Sequence, residues 1–253
     1  MQLTKNKVVT LGLSTGLMFV SSMFSSATAA EFSSTVGGVL ISSQDYIIGE
    51  DNDIQLAPYV SLEYGMFSLD ENGLAVTYEI DEANAVSAAL SQRESVFDRK
   101  DNKTLNHFDK RDSATELTIN WMKSSGADNF LLAATGDVSN THDGYQLTAG
   151  YSRNISALGG MLIPSIGVSL QSEDLVDYYY GVRSNESTAN LASYKGKETV
   201  SAELAIAHVY NFSGNWSSFS SVSVEYLGSG IADSPIVKKD NVWTAVVGAV
   251  YEF

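Results

Sequence analysis

The chain has 253 residues, a formal charge of −15, no cysteine and 20 glycines, and 44% of its residues are apolar. The lack of cysteine excludes a disulfide framework and a thiolate metal site. The acidic balance argues against nucleic acid, whose binders carry a basic face, and the apolar share argues against wholesale disorder.

Met1–Ala30 reads as a secretory signal. Lys5 and Lys7 precede an apolar, small-residue stretch from Val8 to Phe24, and Ala27-Thr28-Ala29-Ala30 offers small residues for cleavage. The alternative, a membrane anchor, fits less well, because Gly12, Ser14, Thr15 and Gly16 break a run that is already short. The expected mature domain is 31–253. No later stretch approaches the roughly 20 apolar residues of a spanning helix.

From there the side chains alternate with period two, the period of a strand. Strands are expected near 33–44, 53–63, 65–69, 73–80, 84–94, 114–123, 128–138, 143–153, 160–172, 198–211, 215–227 and 241–253. In the second, Ile54, Leu56, Pro58, Val60 and Leu62 oppose Gln55, Ala57, Tyr59, Ser61 and Glu63. In the last, Trp243, Ala245, Val247, Ala249, Tyr251 and Phe253 oppose Val242, Thr244, Val246, Gly248, Val250 and Glu252. One face is almost free of charge, and the other is rich in Ser, Thr, Gln and Glu. Aromatics stand at both ends of single strands, Trp243 with Phe253 and Trp216 with Tyr226. A lipid-facing belt around a polar lumen has this pattern. The expected fold is all-β: a transmembrane antiparallel up-and-down barrel of twelve strands, or ten if 65–69 merges with a neighbour.

The connections alternate as well. Glu63–Gly65, Asp81–Asn84, Ser124–Ala127, Asn154–Gly159 and Phe212–Asn215 are short and suit the periplasmic side. Gln44–Asn52, Ser95–Ser113, Glu173–Lys197 and Gly228–Asp240 are long and suit the outside, with tighter outer turns at Asp70–Gly73 and Ser139–Asp143. Gly248, Tyr251 and Phe253 fit the final-strand signal read by barrel-assembly machinery, although Val246 stands where a polar residue is usual.

Parity turns Glu63, Glu79, Glu116, Glu203 and Glu225 into the lumen, with Arg93 as an opposing charge. If the lumen is open, such a lining prefers cations; a barrel filled by side chains or plugged by a loop is the alternative. His107 and His142 fall on exposed loops without an evident confined site, and His208 follows the lipid-facing parity, so no catalytic residue is assigned. No cofactor motif and no metal-loop spacing is present. The acidic residues Glu50, Asp51, Asp53, Asp70 and Glu71 read as a solvated outer rim beside lipid and lipopolysaccharide, or as holders of divalent cations shared with lipopolysaccharide phosphates. The tyrosines of Asp177–Tyr180 read as packing of the long loop over the barrel mouth, or as a carbohydrate or peptide platform. Asp233-Ser234-Pro235 reads as a turn.

Asp177-Tyr178-Tyr179-Tyr180-Gly181-Val182, within Glu173–Val182, resembles a signature of the MipA/OmpV family of outer-membrane proteins. Ile231-Ala232-Asp233-Ser234-Pro235-Ile236-Val237 resembles a second one. Ala57-Pro58-Tyr59, Asn215-Trp216 and the aromatic C-terminal end are similar to the family as well. Arg183 is followed by Ser184 where the family usually has proline. The resemblance spans the mature chain and implies a non-enzymatic barrel. It implies a possible scaffold role in murein metabolism, between a murein hydrolase and a murein synthase, and no catalytic residues. Other members are discussed in adhesion, osmotic response or antibiotic response. The short periplasmic connections offer little of the roughly 800 Å² per partner of a usual interface. A passive cation-preferring or non-specific channel and an outward-facing adhesin or receptor therefore stay beside the scaffold reading.

Overall fold

The computed structural model describes residues 32–253, so the expected signal segment lies outside the described residues. The strands are β1 (Phe32–Ser43), β2 (Asp53–Tyr64), β3 (Phe67–Asp70), β4 (Gly73–Asp81), β5 (Asn84–Arg93), β6 (Ala114–Ser125), β7 (Asp128–Asp137), β8 (Tyr145–Arg153), β9 (Ile155–Ala157), β10 (Gly160–Gln171), β11 (Thr199–Ser213), β12 (Trp216–Tyr226) and β13 (Asn241–Glu252). Two helices, α1 (Glu173–Tyr180) and α2 (Ser229–Ala232), lie in the last two long connections. Consecutive strands pair antiparallel except β8 and β9, and β13 returns to β1 with Glu252 opposite Thr35, which closes the sheet. β8 and β9 both pair with β10 and form one wall strand interrupted at Asn154. The wall therefore has the expected twelve strands. The expected turn at Asn154–Gly159 shrinks to Leu158–Gly159, because three more residues stay in the sheet.

Turn chemistry explains the tight lower end. Gly65, Gly126, Gly214 and the pair Leu158–Gly159 take positive φ, which the commonest two-residue hairpin loops use. All the lower connections are two residues long.

The outward row is apolar and exposed on every side: Leu56, Leu90, Ile119, Leu132, Leu147, Val168, Leu204, Val222 and Val247 all belong to it. So large an exposed apolar surface has a membrane as its solvent. At the lower end Tyr210, Phe212, Trp216, Tyr251 and Phe253 follow one another in ring contact, with centroids 4.7–6.4 Å apart. They form the interfacial aromatic girdle of such barrels.

The inner face is less uniformly polar than alternation suggests. Val39, Ile41, Phe219, Val246 and Val250 are buried together inside the wall, with Tyr59 and Val209 against them. Small barrels fill part of their interior with side chains. Gly248 makes room for this: a Cβ there would stand 2.5 Å from the Phe219 ring.

Candidate functional site

The long outer connections fold into one body above the lumen. Ile47, Phe97, Leu105, Phe108, Leu175, Val176, Tyr179, Tyr180, Val182, Leu191, Ile231 and Ile236 form its buried apolar core. Connections that read as loops thus carry a second core. α1 was not expected from alternation, yet its start is legible. Ser172 caps it, its hydroxyl accepting the Leu175 N–H, and Glu173 and Asp174 occupy the first turn.

The residues of the first motif hold this cap together. The Asp177 carboxylate accepts the Gly196 N–H at 2.7 Å. The Tyr178 hydroxyl accepts the Asp112 N–H at 2.8 Å. Tyr179 is buried, and its hydroxyl has no partner among the described residues. The Tyr180 and Tyr46 hydroxyls lie 2.9 Å apart. The Gly181 carbonyl accepts from Arg111 Nη2 at 3.2 Å, and Val182 bridges to Tyr194 through both backbone groups. The second motif meets the first directly: Ser234 Oγ donates to the Tyr180 carbonyl at 2.6 Å. Ile231 enters the core, Asp233 ends α2, and Pro235 follows at the edge of the cap.

Sequence reasoning missed the lock of the cap. Arg111 and Glu186 are both fully buried. Glu186 accepts from Arg111 Nη1 at 2.8 Å, from Arg111 Nη2 at 2.9 Å, and from the N–H groups of Asp109 and Arg183 at 2.9 and 2.8 Å. Burial pushes this carboxyl up. The Arg111 guanidinium and the two backbone donors outweigh that and hold it below the usual carboxylate range. Nothing in the spacing of the two residues signals the pair.

Below the cap, Glu116 Oε1 accepts from Arg93 Nε at 2.8 Å, and Arg93 Nη2 donates to Gln146 Oε1 at 3.2 Å. His142 was expected on an exposed turn. It is buried instead, with Nε2 3.2 Å from Glu116 Oε1 and Nδ1 accepting the Gly144 N–H at 3.0 Å. Asp137 explains the difference. Its carboxylate accepts the N–H groups of Ser139, Thr141, His142 and Asp143 at 2.6–3.0 Å and so curls the turn inward. His107, exposed, reaches the Glu186 carbonyl. His208 stacks beside Tyr210 on the outward parity.

The lower lumen is a cavity of about 510 Å³, and Glu63, Asp70, Glu79, Asp81 and Glu82 are among its lining with Lys123. Glu203 is buried in the wall, and the field of Arg93 reaches Glu225. Glu63 and Glu79 thus gather below, and Glu116 meets Arg93 above. Three residues expected on the outer rim lie elsewhere, and Glu71 is one of them, on the Asp70–Gly73 turn part-way up the wall. Glu50 is buried and accepts from Asn102 Nδ2 at 2.9 Å, and Asp70 lies in the cavity wall. At the seam Gly248 is buried, whereas Tyr251 and Phe253 stand in the girdle.

The family described as "MltA-interacting protein MipA" matches residues 36–253. The chain belongs to the MipA family. The MltA-interacting protein of Escherichia coli K12 is 26% identical over 262 residues, covering 99% of this chain and 100% of that one. The putative outer membrane protein YiaT of the same strain is 26% identical over 93% of this chain and 96% of its own length. The outer membrane protein OmpV of Vibrio cholerae is 29% identical over 72% of this chain and 63% of its own. As a member of this family with a closed, apolar-belted wall, the protein is a β-barrel of a Gram-negative outer membrane.

Proposed function

We propose that the protein is a non-enzymatic, capped barrel through which small cations pass passively when the cap moves. The acidic lower lumen carries this reading: five carboxylates and one lysine are among the residues lining one cavity of about 510 Å³. Carboxylate-lined pores concentrate cations by their field. His142 leaves neither ring nitrogen open to a substrate: Nδ1 accepts the Gly144 N–H of its own turn, and Nε2 faces Glu116 Oε1. The test is conductance in planar bilayers under a salt gradient. The expected reversal potential favours cations, and Glu63→Gln with Glu79→Gln moves it towards zero. A preference for anions in the unaltered protein would refute the reading.

A second reading is a scaffold for murein-remodelling enzymes. The relative named MltA-interacting protein, aligned along its whole length, favours it. With two-residue lower turns, a partner would have to grip the rim as a whole, including Phe32–Thr35 and the Asn215–Glu252 contact, where Asn215 Nδ2 donates to the Glu252 carbonyl. Capture from a membrane extract on immobilised, refolded protein tests it. A retained murein hydrolase or synthase, lost when the barrel is unfolded, is the expected result. Retention of the same enzymes on the unfolded chain would count against it.

A further inference from the structure

The wall is not of even height. β3 has four residues, and its pairing with β2 ends at Leu62 opposite Leu69. β2 continues outward to Asp53, and along 56–61 its strand partner is β1 alone among the described residues. On the other side β4 starts at Gly73, opposite Asp70, with Leu74 level with Leu90 of β5. The Asp70–Gly73 turn therefore ends inside the wall. The nine residues of β4 descend below it, and the outer stretch of β2 rises past it.

Three observations place this turn at bilayer depth and beside water. Leu69 and Leu74, which flank it, are each 48% exposed on the outward row. Leu56 is 81% exposed, the highest value among the described large apolar residues, as expected where no described strand lies alongside. The lower cavity reaches the turn, with Tyr59, Ser61, Glu63, Asp70, Gly73 and Ser91 in its lining. The turn is also fixed in place: at Gly73, with φ of +110°, a Cβ would stand 2.0 Å from the Leu90 carbonyl oxygen. Irregular backbone is tolerated at membrane depth only where it is buried in protein or lines a water-filled cavity, and Asp70, Asn72 and Gly73 line the cavity. Among the described residues, the stretch beside 56–61 is thus where the cavity comes nearest the lipid.

We propose that this gap between β2 and β5 is a lateral opening for single-chain amphiphiles with a cationic headgroup. The headgroup sits at Asp70 and Glu71 on the sill, with Glu63 just inside. The apolar chain lies along Leu56, Pro58 and Val60, the outward row of β2. Charge decides the headgroup, because the sill offers carboxylates. The row on β2 decides the tail. The opening lies below the cap, so it does not require axial passage of ions and goes beyond the channel reading.

The test uses the refolded protein in lipid vesicles with a dodecyltrimethylammonium probe carrying a chain diazirine. A dodecyl sulfate probe with the same chain is the comparison. After photolysis, label is expected on 56–61 and 69–75, at least about fivefold more from the ammonium probe than from the sulfate, in line with the modest worth of exposed charge pairs. Asp70→Asn with Glu71→Gln is expected to abolish that preference while the heat-modifiable band of the folded barrel persists. Label spread evenly around the belt, equal labelling by the two probes, or a preference that survives the double substitution would overturn the proposal. The comparison of probes on the unaltered protein stands even if the variant does not fold.

Discussion

Glu186→Ala is expected to unfold the cap and leave the barrel closed. The substitution leaves Arg111 buried without its counter-charge and strips the N–H groups of Asp109 and Arg183 of their acceptor. Breaking a buried ion pair from one side costs about 3–5 kcal/mol, a large share of the roughly 5–15 kcal/mol net stability of a folded unit. Residues 94–113 and 172–198 are expected to become sensitive to protease, while the wall keeps its resistance and its heat-modifiable migration. Replacing both partners, Arg111→Met with Glu186→Leu, is expected to restore most of the protection, because an apolar pair of similar volume is often neutral. The pH dependence follows from the lowered carboxyl. Its stabilisation is fully present above the unfolded value of about 4.3 and is lost as pH falls towards and through the folded one. Protection of the cap should hold through neutral and mildly acidic pH and fail below the usual carboxylate range. The Glu186→Gln variant should lack that acid step. A cap that stays protected in Glu186→Ala would show that the apolar core alone holds it.

Gly37→Val is expected to prevent the barrel from closing. Gly37 pairs across the seam with Val250. A Cβ at this position would stand 2.1 Å from the Ala249 carbonyl oxygen and 2.9 Å from the Val250 Cα. Backbone cannot yield as a flexible side chain does, so relief requires β1 and β13 to part. Overpacking ordinarily costs about 1–3 kcal/mol, and a clash with the ladder itself lies at or beyond the upper end. Gly38→Val is the control, because its nearest neighbour is the Ala57 carbonyl oxygen at 4.0 Å. Refolding into detergent followed by unheated electrophoresis reads the outcome. The folded band should be lost for residue 37 and kept for residue 38. Equal folding of the two variants would show that the seam has slack.

The strands were legible because their signal is local and repeated. Ile54 to Leu62 and Trp243 to Phe253 each state their parity within one segment, and a slip of one residue would turn the whole row to the wrong face. Even the four-residue β3 was readable as a short strand between turns. The side of each turn was legible too; what the sequence did not show was how high a turn stands and which way it curls. Asp70–Gly73 has the composition of an outer loop, yet the register of β2 with β1 and of β4 with β5 leaves it part-way up the wall. His142 likewise has the sequence setting of an exposed turn, and the Asp137 carboxylate reverses that by gathering four N–H groups.

The sequence by itself determined the alternation, the apolar outward row, the acidic inward one and the tight lower hairpins. Together these dictate a closed sheet in lipid, because each is set by residues a few positions apart. Only the tertiary structure decided the cap, its lock and the gap in the wall. Arg111 and Glu186 lie 75 positions apart, and Ser234 and Tyr180 lie 54 apart. Contacts between connections that differ in length and follow no common period leave no repeating trace in the chain. They exist only once the barrel has brought the ends of its strands together.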